Sequence, residues 1–293
     1  MFDLRYHVAS LAAVFLALII GILVGVGISG PVDSTKTKLL EEQVANLQRR
    51  LDKTSTQSSA DAREQQAART FMNETYPVLV RNRLRGKKIA VVFVGTENGG
   101  VVKAVNQLLF DAGAQQLRLR ALNVPIDLRQ LDGALRGQPA AAGLLGRSHV
   151  EDLGRALGQE LLLGGDTPLW NALPDALVEH QEGASRAPAD GVVVVRTVKP
   201  QRGPTSRFLL GLYAGLNSGA APAVGVEQTD AADSATKVFS RAGLSTVDDV
   251  DKPAGKLAVV LLLAGAPSGQ YGVKDSADNG ALPPLPTRAP AGG

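Results

Sequence analysis

The chain has 293 residues, of which 44% are hydrophobic but only 4% aromatic, and its formal net charge is +3. This composition predicts a core of Val, Leu, Ile and Ala, as in a buried parallel sheet. The absence of cysteine excludes disulfides, thiolate nucleophiles and cysteine-ligated metals. The basic residues are spread along the chain with few aromatics among them, which argues against nucleic-acid binding.

The first element is a long apolar segment. From Tyr6 to Val32 the sequence has no formal charge except on His7 when it is protonated, and a helix needs only about 20 such residues to cross a bilayer. We therefore predict a short cytoplasmic tail and a transmembrane anchor over residues 1–32, in contact with membrane lipid. The alternative is a cleaved signal peptide ending near Gly27-Ile28-Ser29, but the segment is longer than a typical signal-peptide core.

Small residues recur at every fourth position of this apolar segment. They are Ala9, Ala13, Ala17, Gly21, Gly25 and Ser29. Such a stripe allows two helix backbones to approach closely in lipid, so it predicts packing against a helix of an identical or a different chain. Small residues are also common in membrane helices generally, and the pattern alone leaves this second interpretation open.

Residues 33–80 predict a helical stalk, because they are rich in helix formers and contain no Gly or Pro before Pro77. A coiled-coil seam is predicted at Leu40, Val44, Leu47 and Leu51. The seam is short, since polar residues occupy its continuation after Leu51. It predicts pairing with a protein partner or a second copy, with a solvated spacer helix as the alternative.

Residues 81–267 predict an extracytoplasmic α/β domain with a Rossmann-like, mostly parallel sheet covered by helices. The pattern is one of apolar runs separated by segments with helical spacing. The runs interpreted as strands are 88–95, 116–122, 191–197, 221–226 and 256–263, the helices are about 99–112, 207–216 and 231–242, and the section 126–183 is mostly helical in pattern. Residues 268–293, rich in Gly, Pro, Asp and Ala, predict a flexible tail.

We find no pattern typical of an enzyme, a cofactor site or a metal site. The loop 95–100 lies where a dinucleotide fold places its phosphate loop, but it lacks the G-x-G-x-x-G spacing and carries Glu97, which favours a simple turn. His149 and His180 have carboxylates nearby in sequence but no catalytic or metal-ligand spacing, so they are interpreted as surface or helix residues.

Two segments carry a family resemblance: the N-terminal FDLRYHVASLAAVF and the region from Ser245 to Lys274. Together with the Leu-rich stalk and the strand KIAVVFVG, they resemble the MctB family of envelope proteins. The resemblance implies copper transport or homeostasis across the cell envelope, in the cell membrane or the outer membrane. It supplies no copper-ligand motif to carry over, so copper is implied by the family alone.

The same resemblance includes SteB-like members, which implies an alternative function. Such a protein would bind a SteA-like membrane protein and act in cell separation and the control of peptidoglycan hydrolases. The anchor, the stalk and the domain suffice for this interaction mechanism. A third hypothesis, an α/β domain that binds a ligand or acts as an enzyme, is the one that the glycine loop supports least.

Overall fold

The computed structural model describes residues 4–27, 34–97, 99–183 and 186–285, with the side chains of 4–10, 26–27 and 34–40 left undescribed. The chain forms two compact units, Met1–Ala68 and Arg69–Gly293. The first contains helix α1 (Leu4–Gly27) and most of the 47-residue helix α2 (Ser34–Val80), which continues into the second. Among the described residues, no helix combines the length and the hydropathy that crossing a membrane requires.

The second unit is built on a seven-stranded sheet in the order β3-β2-β1-β4-β5-β6-β7. The strands are β1 (Lys88–Val94), β2 (Gln115–Leu122), β3 (Val178–Glu182), β4 (Gly191–Arg196), β5 (Ala223–Val226), β6 (Ser245–Val247) and β7 (Gln270–Tyr271). Strand β3 pairs antiparallel with β2, and the other neighbours are parallel. The prediction of a mostly parallel α/β sheet is confirmed. Its direction of winding reverses between β1 and β4, as in doubly wound folds.

Helices cover both faces of this sheet. They are α3 (Gly99–Asp111), α4 (Leu128–Leu135), α5 (Val150–Leu163), α6 (Pro168–Ala172), α7 (Pro174–Leu177), α8 (Gly203–Leu216), α9 (Thr236–Arg241) and α10 (Pro253–Leu263), with a 3-10 turn at Pro139–Ala141. One core lies under α4 to α9 and the other under α3, α10 and the C-terminal end of α2. The buried strands β1 and β4 contribute to both cores, which explains their almost uninterrupted apolar sequences.

Helices α5 and α8 approach each other through glycines. A Cβ atom built on Gly154 of α5 would overlap the carbonyl oxygen of Phe208, and one built on Gly211 of α8 would overlap that of Glu151. Gly158 and Gly215 meet the facing backbones in the same way. Four glycines, two on each helix at a spacing of four, therefore set how closely this pair packs.

One prediction of secondary structure was wrong. Residues 256–263 belong to helix α10 rather than to a strand, and almost all of its side chains are buried. A wholly apolar run has no periodicity to separate strand from helix, although Pro253 at the first turn is a typical helix start. The section 126–183 is mostly helical, as predicted, because it contains α4 to α7. It also contains strand β3, which was not predicted: its side chains are largely exposed and polar, so they give no apolar signal. The structure also places β7 inside the segment 268–293.

Candidate functional site

The small-residue stripe lies along α1. Ala13, Ala17, Gly21 and Gly25 are all exposed, and four-residue spacing puts them on one face of the helix. The side chain of Ala9 is not described, and Ser29 lies outside the described residues. Large apolar side chains between the small ones, such as Phe15 and Leu23, are also exposed. Helix packing through this stripe stays a prediction.

The predicted seam forms an exposed apolar row on α2. Val44, Leu47 and Leu51 are 50%, 60% and 68% exposed, and they follow one another on one side of the helix. The side chain of Leu40 is not described. These three residues are what a second helix would cover in a short coiled coil, so pairing through them stays a prediction.

The carboxyl ends of β1 and β4 form the crevice where doubly wound sheets usually bind ligands. Here Gly95 has a φ of +98°, and any Cβ at this position would overlap the side chain of Val198. The Thr197 hydroxyl donates to the carbonyl oxygens of Val94 at 3.2 Å and Thr96 at 2.7 Å. Side chains of this chain thus occupy the space beside the glycine, and the cavity next to it, of about 200 Å³, is small for a cofactor.

Sequence reasoning missed the contact that His180 makes across the sheet edge. Its Nδ1 lies 2.6 Å from Oε1 of Glu97, while Nε2 lies 3.6 Å from Oε1 of Glu182. The hydrogen bond with Glu97 raises the pKa of the imidazole. The two residues are 83 positions apart, and only strand pairing brings them together.

His149 pairs at 3.5 Å with Asp152, one turn along α5. Over the described residues, His, Asp and Glu side chains form no group of three suited to hold a metal ion.

A buried acidic cluster follows strands β5 and β6. It comprises Glu227, directly after β5, and Asp248, Asp249 and Asp251, after β6. Glu227 is 3% exposed and accepts from the Ser234 hydroxyl, the Ala235 amide and the Lys274 ammonium, the last at 2.7 Å. Buried charge of this kind is tolerated because it is paired and hydrogen-bonded.

Asp248 fixes the chain that leaves β7. Its Oδ1 accepts from the Val273 amide at 2.8 Å, and its Oδ2 accepts from the Lys274 amide at 3.2 Å. The carboxylate lies against Gly272, whose φ of +137° and missing side chain allow the approach. Asp248 and Glu227 therefore tie the end of the Ser245–Lys274 segment by hydrogen bonds to the carboxyl ends of β6 and β5.

Asp249 differs from its neighbours because its side chain is fully buried without a hydrogen bond among the described residues. Burial and the nearby carboxylates of Asp248 and Asp251 raise its pKa to about 6. Asp251, by contrast, accepts from the Thr229 amide at 2.7 Å and pairs with Lys252 at 2.8 Å, and these contacts lower its pKa despite partial burial. Hydrogen bonds from the cluster hold the loops after β5 and β6 and the chain after β7 in place.

Comparison with known proteins covers nearly the whole chain. The family described as "Copper transport outer membrane protein, MctB" matches residues 1–282. Proteins named copper transporter MctB from Mycobacterium bovis and Mycobacterium tuberculosis are each 26% identical to this chain over 306 aligned residues, which cover 93% of this chain and 96% of the relative. The match confirms the resemblance of the N-terminal and Ser245–Lys274 segments: the chain belongs to the MctB family.

Proposed function

We propose that this chain is a membrane-anchored, non-enzymatic protein of the cell envelope that takes part in copper homeostasis. The observation that carries the proposal is the family match over residues 1–282, together with relatives named copper transporters that align over almost their full length. The relatives share 26% of their aligned residues with this chain, and we infer that it shares their role in copper transport or homeostasis.

The composition bears on how copper would be handled. Cu(I) prefers soft thiolate and thioether ligands, and this sequence has no cysteine and two methionines, Met1 and Met72. We therefore assign copper handling to an assembly in which this chain is one part. A strain lacking the gene should tolerate less copper and accumulate more of it, while its zinc tolerance stays unchanged. Unaltered copper tolerance and content in that strain would remove the copper role.

Anchoring is supported by residues 6–32, which carry no Asp, Glu, Lys or Arg, and by the exposed apolar side chains of α1 between Leu11 and Val24. Water would have to hydrate these side chains, whereas lipid accepts them. A periplasm-dependent phosphatase fused to the C-terminus should be active, and a fluorescent protein that matures only in the cytosol should stay dark. A mature protein that begins near residue 30 would contradict anchoring and indicate a cleaved signal peptide.

The second candidate function is a SteB-like interaction protein that acts in cell separation and in the control of peptidoglycan hydrolases. The row of Val44, Leu47 and Leu51 on α2 favours it, because three exposed apolar residues at coiled-coil spacing suit another helix. The partner would be a second copy of this chain or a SteA-like membrane protein, bound through α2 and the α1 stripe.

Charge substitutions separate the two functions. Val44→Glu with Leu47→Glu places carboxylates inside the proposed helix contact, so capture of a partner from membranes should fall at least about tenfold, which corresponds to ~1.4 kcal/mol. Asn46→Glu adds one carboxylate beside the row instead of two within it and should leave capture unchanged. If cells that carry the double variant separate normally and the variant captures as much partner as the parent, the interaction function is wrong. If it loses partner but keeps copper tolerance, the copper role does not depend on this contact.

A further inference from the structure

Two arginines of strand β2 point into the covered side of the sheet. Arg118 and Arg120 are two residues apart, so their side chains lie on the same face of the strand. Arg118 is only 3% exposed, whereas arginine is almost never this buried without compensating contacts. Leu119 and Ala121, which alternate with the arginines, belong to the opposite core. The two guanidinium groups are therefore held on the face that α5 and α6 cover.

Backbone carbonyl groups orient both arginines. Nη1 of Arg118 donates to Leu161 O at 2.9 Å, and its Nη2 donates to Ala187 O. Leu161 lies in the last turn of α5, where the helix dipole favours a cation, and this contact gives Arg118 a structural task. Nη1 of Arg120 donates to Leu119 O at 2.7 Å and Glu182 O at 3.1 Å. These acceptors are neutral and do not cancel the charge that they position.

The arginines line a cavity of about 400 Å³, within the size range of small-ligand sites. Its other polar lining groups are Asp166, Thr167, Asn171, Gln181, Glu182 and Arg186, and Trp170 provides an apolar wall. The cavity lies between the β2-β3 edge of the sheet and the loop that follows α5. It is separate from the acidic cluster beyond β5 and β6.

The charges around this cavity favour an anion. Three arginines line it, against two carboxylates. Asp166 and Arg186 pair with each other at 2.8 Å, which leaves Arg118 and Arg120 against Glu182. Glu182 accepts from the Gln116 amide at 3.3 Å. Nε of Arg120 is buried and has no hydrogen-bond partner among the described residues. Burial, followed by the charge of Arg118, lowers the pKa of the Arg120 guanidinium. An oxyanion bound beside the two guanidinium groups would offset the repulsion between them.

We propose that this cavity, which we call the arginine cavity, binds a small ligand through an oxyanion group, with Arg120 and Arg186 as the direct contacts and Arg118 as a positioning residue. Guanidinium groups recognise carboxylates and phosphates alike, through paired and charge-assisted N–H donors. The shared chemistry is therefore a small phosphate-bearing or carboxylate-bearing molecule. This site is independent of the proposed function.

The test is titration calorimetry and thermal unfolding of the purified full-length chain in detergent, with inorganic phosphate and succinate as separate probes. Sodium chloride at equal ionic strength corrects for general salt effects. We expect at least one probe to bind with measurable heat and to raise the melting temperature by about 3 °C more than chloride does. Phosphate alone would identify a phosphate-bearing ligand, succinate alone a carboxylate-bearing one, and both the shared oxyanion.

Three variants tie that effect to the cavity. Arg120→Gln should weaken binding at least tenfold. Arg186→Gln should weaken it too, and because this side chain is 79% exposed the variant keeps the test informative if Arg120→Gln fails to fold. Arg136→Gln removes an exposed arginine outside the cavity and should change nothing. The proposal fails if neither probe exceeds chloride, if Arg186→Gln binds like the parent, or if Arg136→Gln loses as much affinity as the cavity variants.

Discussion

Helices α5 and α1 carry small residues at the same four-residue spacing, yet their surroundings differ. In α5, Gly154 and Gly158 touch the backbone of α8, and any side chain there would overlap it. In α1, a Cβ built on Gly21 or Gly25 meets no described atom within 4 Å. The spacing therefore indicates a face suited to close helix packing, while the rest of the fold decides whether the chain itself supplies the partner.

The large apolar residues repeat this contrast. Most of those in the second unit are buried in its two cores, whereas those described in α1 and those in the α2 row are exposed. Exposed apolar surface of this extent marks a site of association with protein or lipid. Substitutions in the second unit should therefore change the free energy of unfolding, and substitutions in α1 and α2 should change association.

The largest effect is expected where Gly154 of α5 packs against α8. Gly154→Ala places a methyl group against the Phe208 carbonyl, and such overpacking should lower the free energy of unfolding by about 3 kcal/mol. The urea midpoint of the full-length chain measures this change. A midpoint equal to that of the parent would mean that α5 and α8 do not pack as closely as described.

Asp249 is a buried carboxylate of the second unit without a hydrogen bond among the described residues. It predicts that the free energy of unfolding depends on pH. Its pKa of about 6 exceeds the ~3.9 of an unfolded aspartate, so the folded chain binds this proton more tightly. The group's favourable contribution is present below about pH 4 and is lost as the pH rises through 6. Asp249→Asn should therefore raise the free energy of unfolding at pH 8 by about 2 kcal/mol and have little effect at pH 4.

Chemical denaturation of parent and variant at both pH values measures this difference. The exposed Asp175 provides the control, because a substitution at the surface such as Asp175→Asn should change stability little. A pH-independent effect of Asp249→Asn would assign the change to packing rather than to proton binding.

An intermediate effect is expected at the small-residue stripe of α1. Gly21→Leu should separate two helices that pair through the stripe and weaken self-association in detergent several-fold, or by about 1 kcal/mol. The unfolding midpoint of the second unit should not move. Cross-linking yield against detergent concentration measures the association. Ile20→Leu, which preserves bulk and hydrophobicity, is the control. If both variants lose self-association equally, the stripe is not the contact that mediates it.

The smallest effect is expected at a glycine of the second unit whose surroundings have room for a side chain. A Cβ on Gly133 of α4 meets no described atom within 4 Å, so Gly133→Ala should add helix propensity without a clash. We expect a gain of about 0.5–1 kcal/mol in the free energy of unfolding. The same urea experiment used for Gly154→Ala measures it. Opposite signs for the two substitutions would show that the contact, not the residue type, determines the result.

The sequence predicted the parts of the fold that depend on local patterns. The apolar run at β1, the glycine that follows it and the helical spacing of α3 indicated an α/β unit that the structure confirms. The run at α10 was misinterpreted because burial on every side removes periodicity. Strand β3 has an exposed polar sequence, which carries no apolar pattern to find.

The candidate sites depend on contacts that no local pattern contains. Glu97 meets His180 only because β2 and β3 pair next to β1. In sequence, the arginines of β2 belong to an ordinary alternating strand pattern. The cavity beside them forms only once the loop after α5 folds over that strand. The aspartates after β6 acquire a buried environment only when the residues after β5 and β7 and the start of α10 pack around them.

Both margins of the sheet are poorly suited to growth by strand addition. Strand β3 is short and runs antiparallel to its neighbour with exposed His180 and Glu182, and β7 has only two residues. Short, charged edges discourage a foreign strand from docking onto a sheet. The folded second unit therefore offers no long, flat strand at either margin from which a fibrous aggregate would grow.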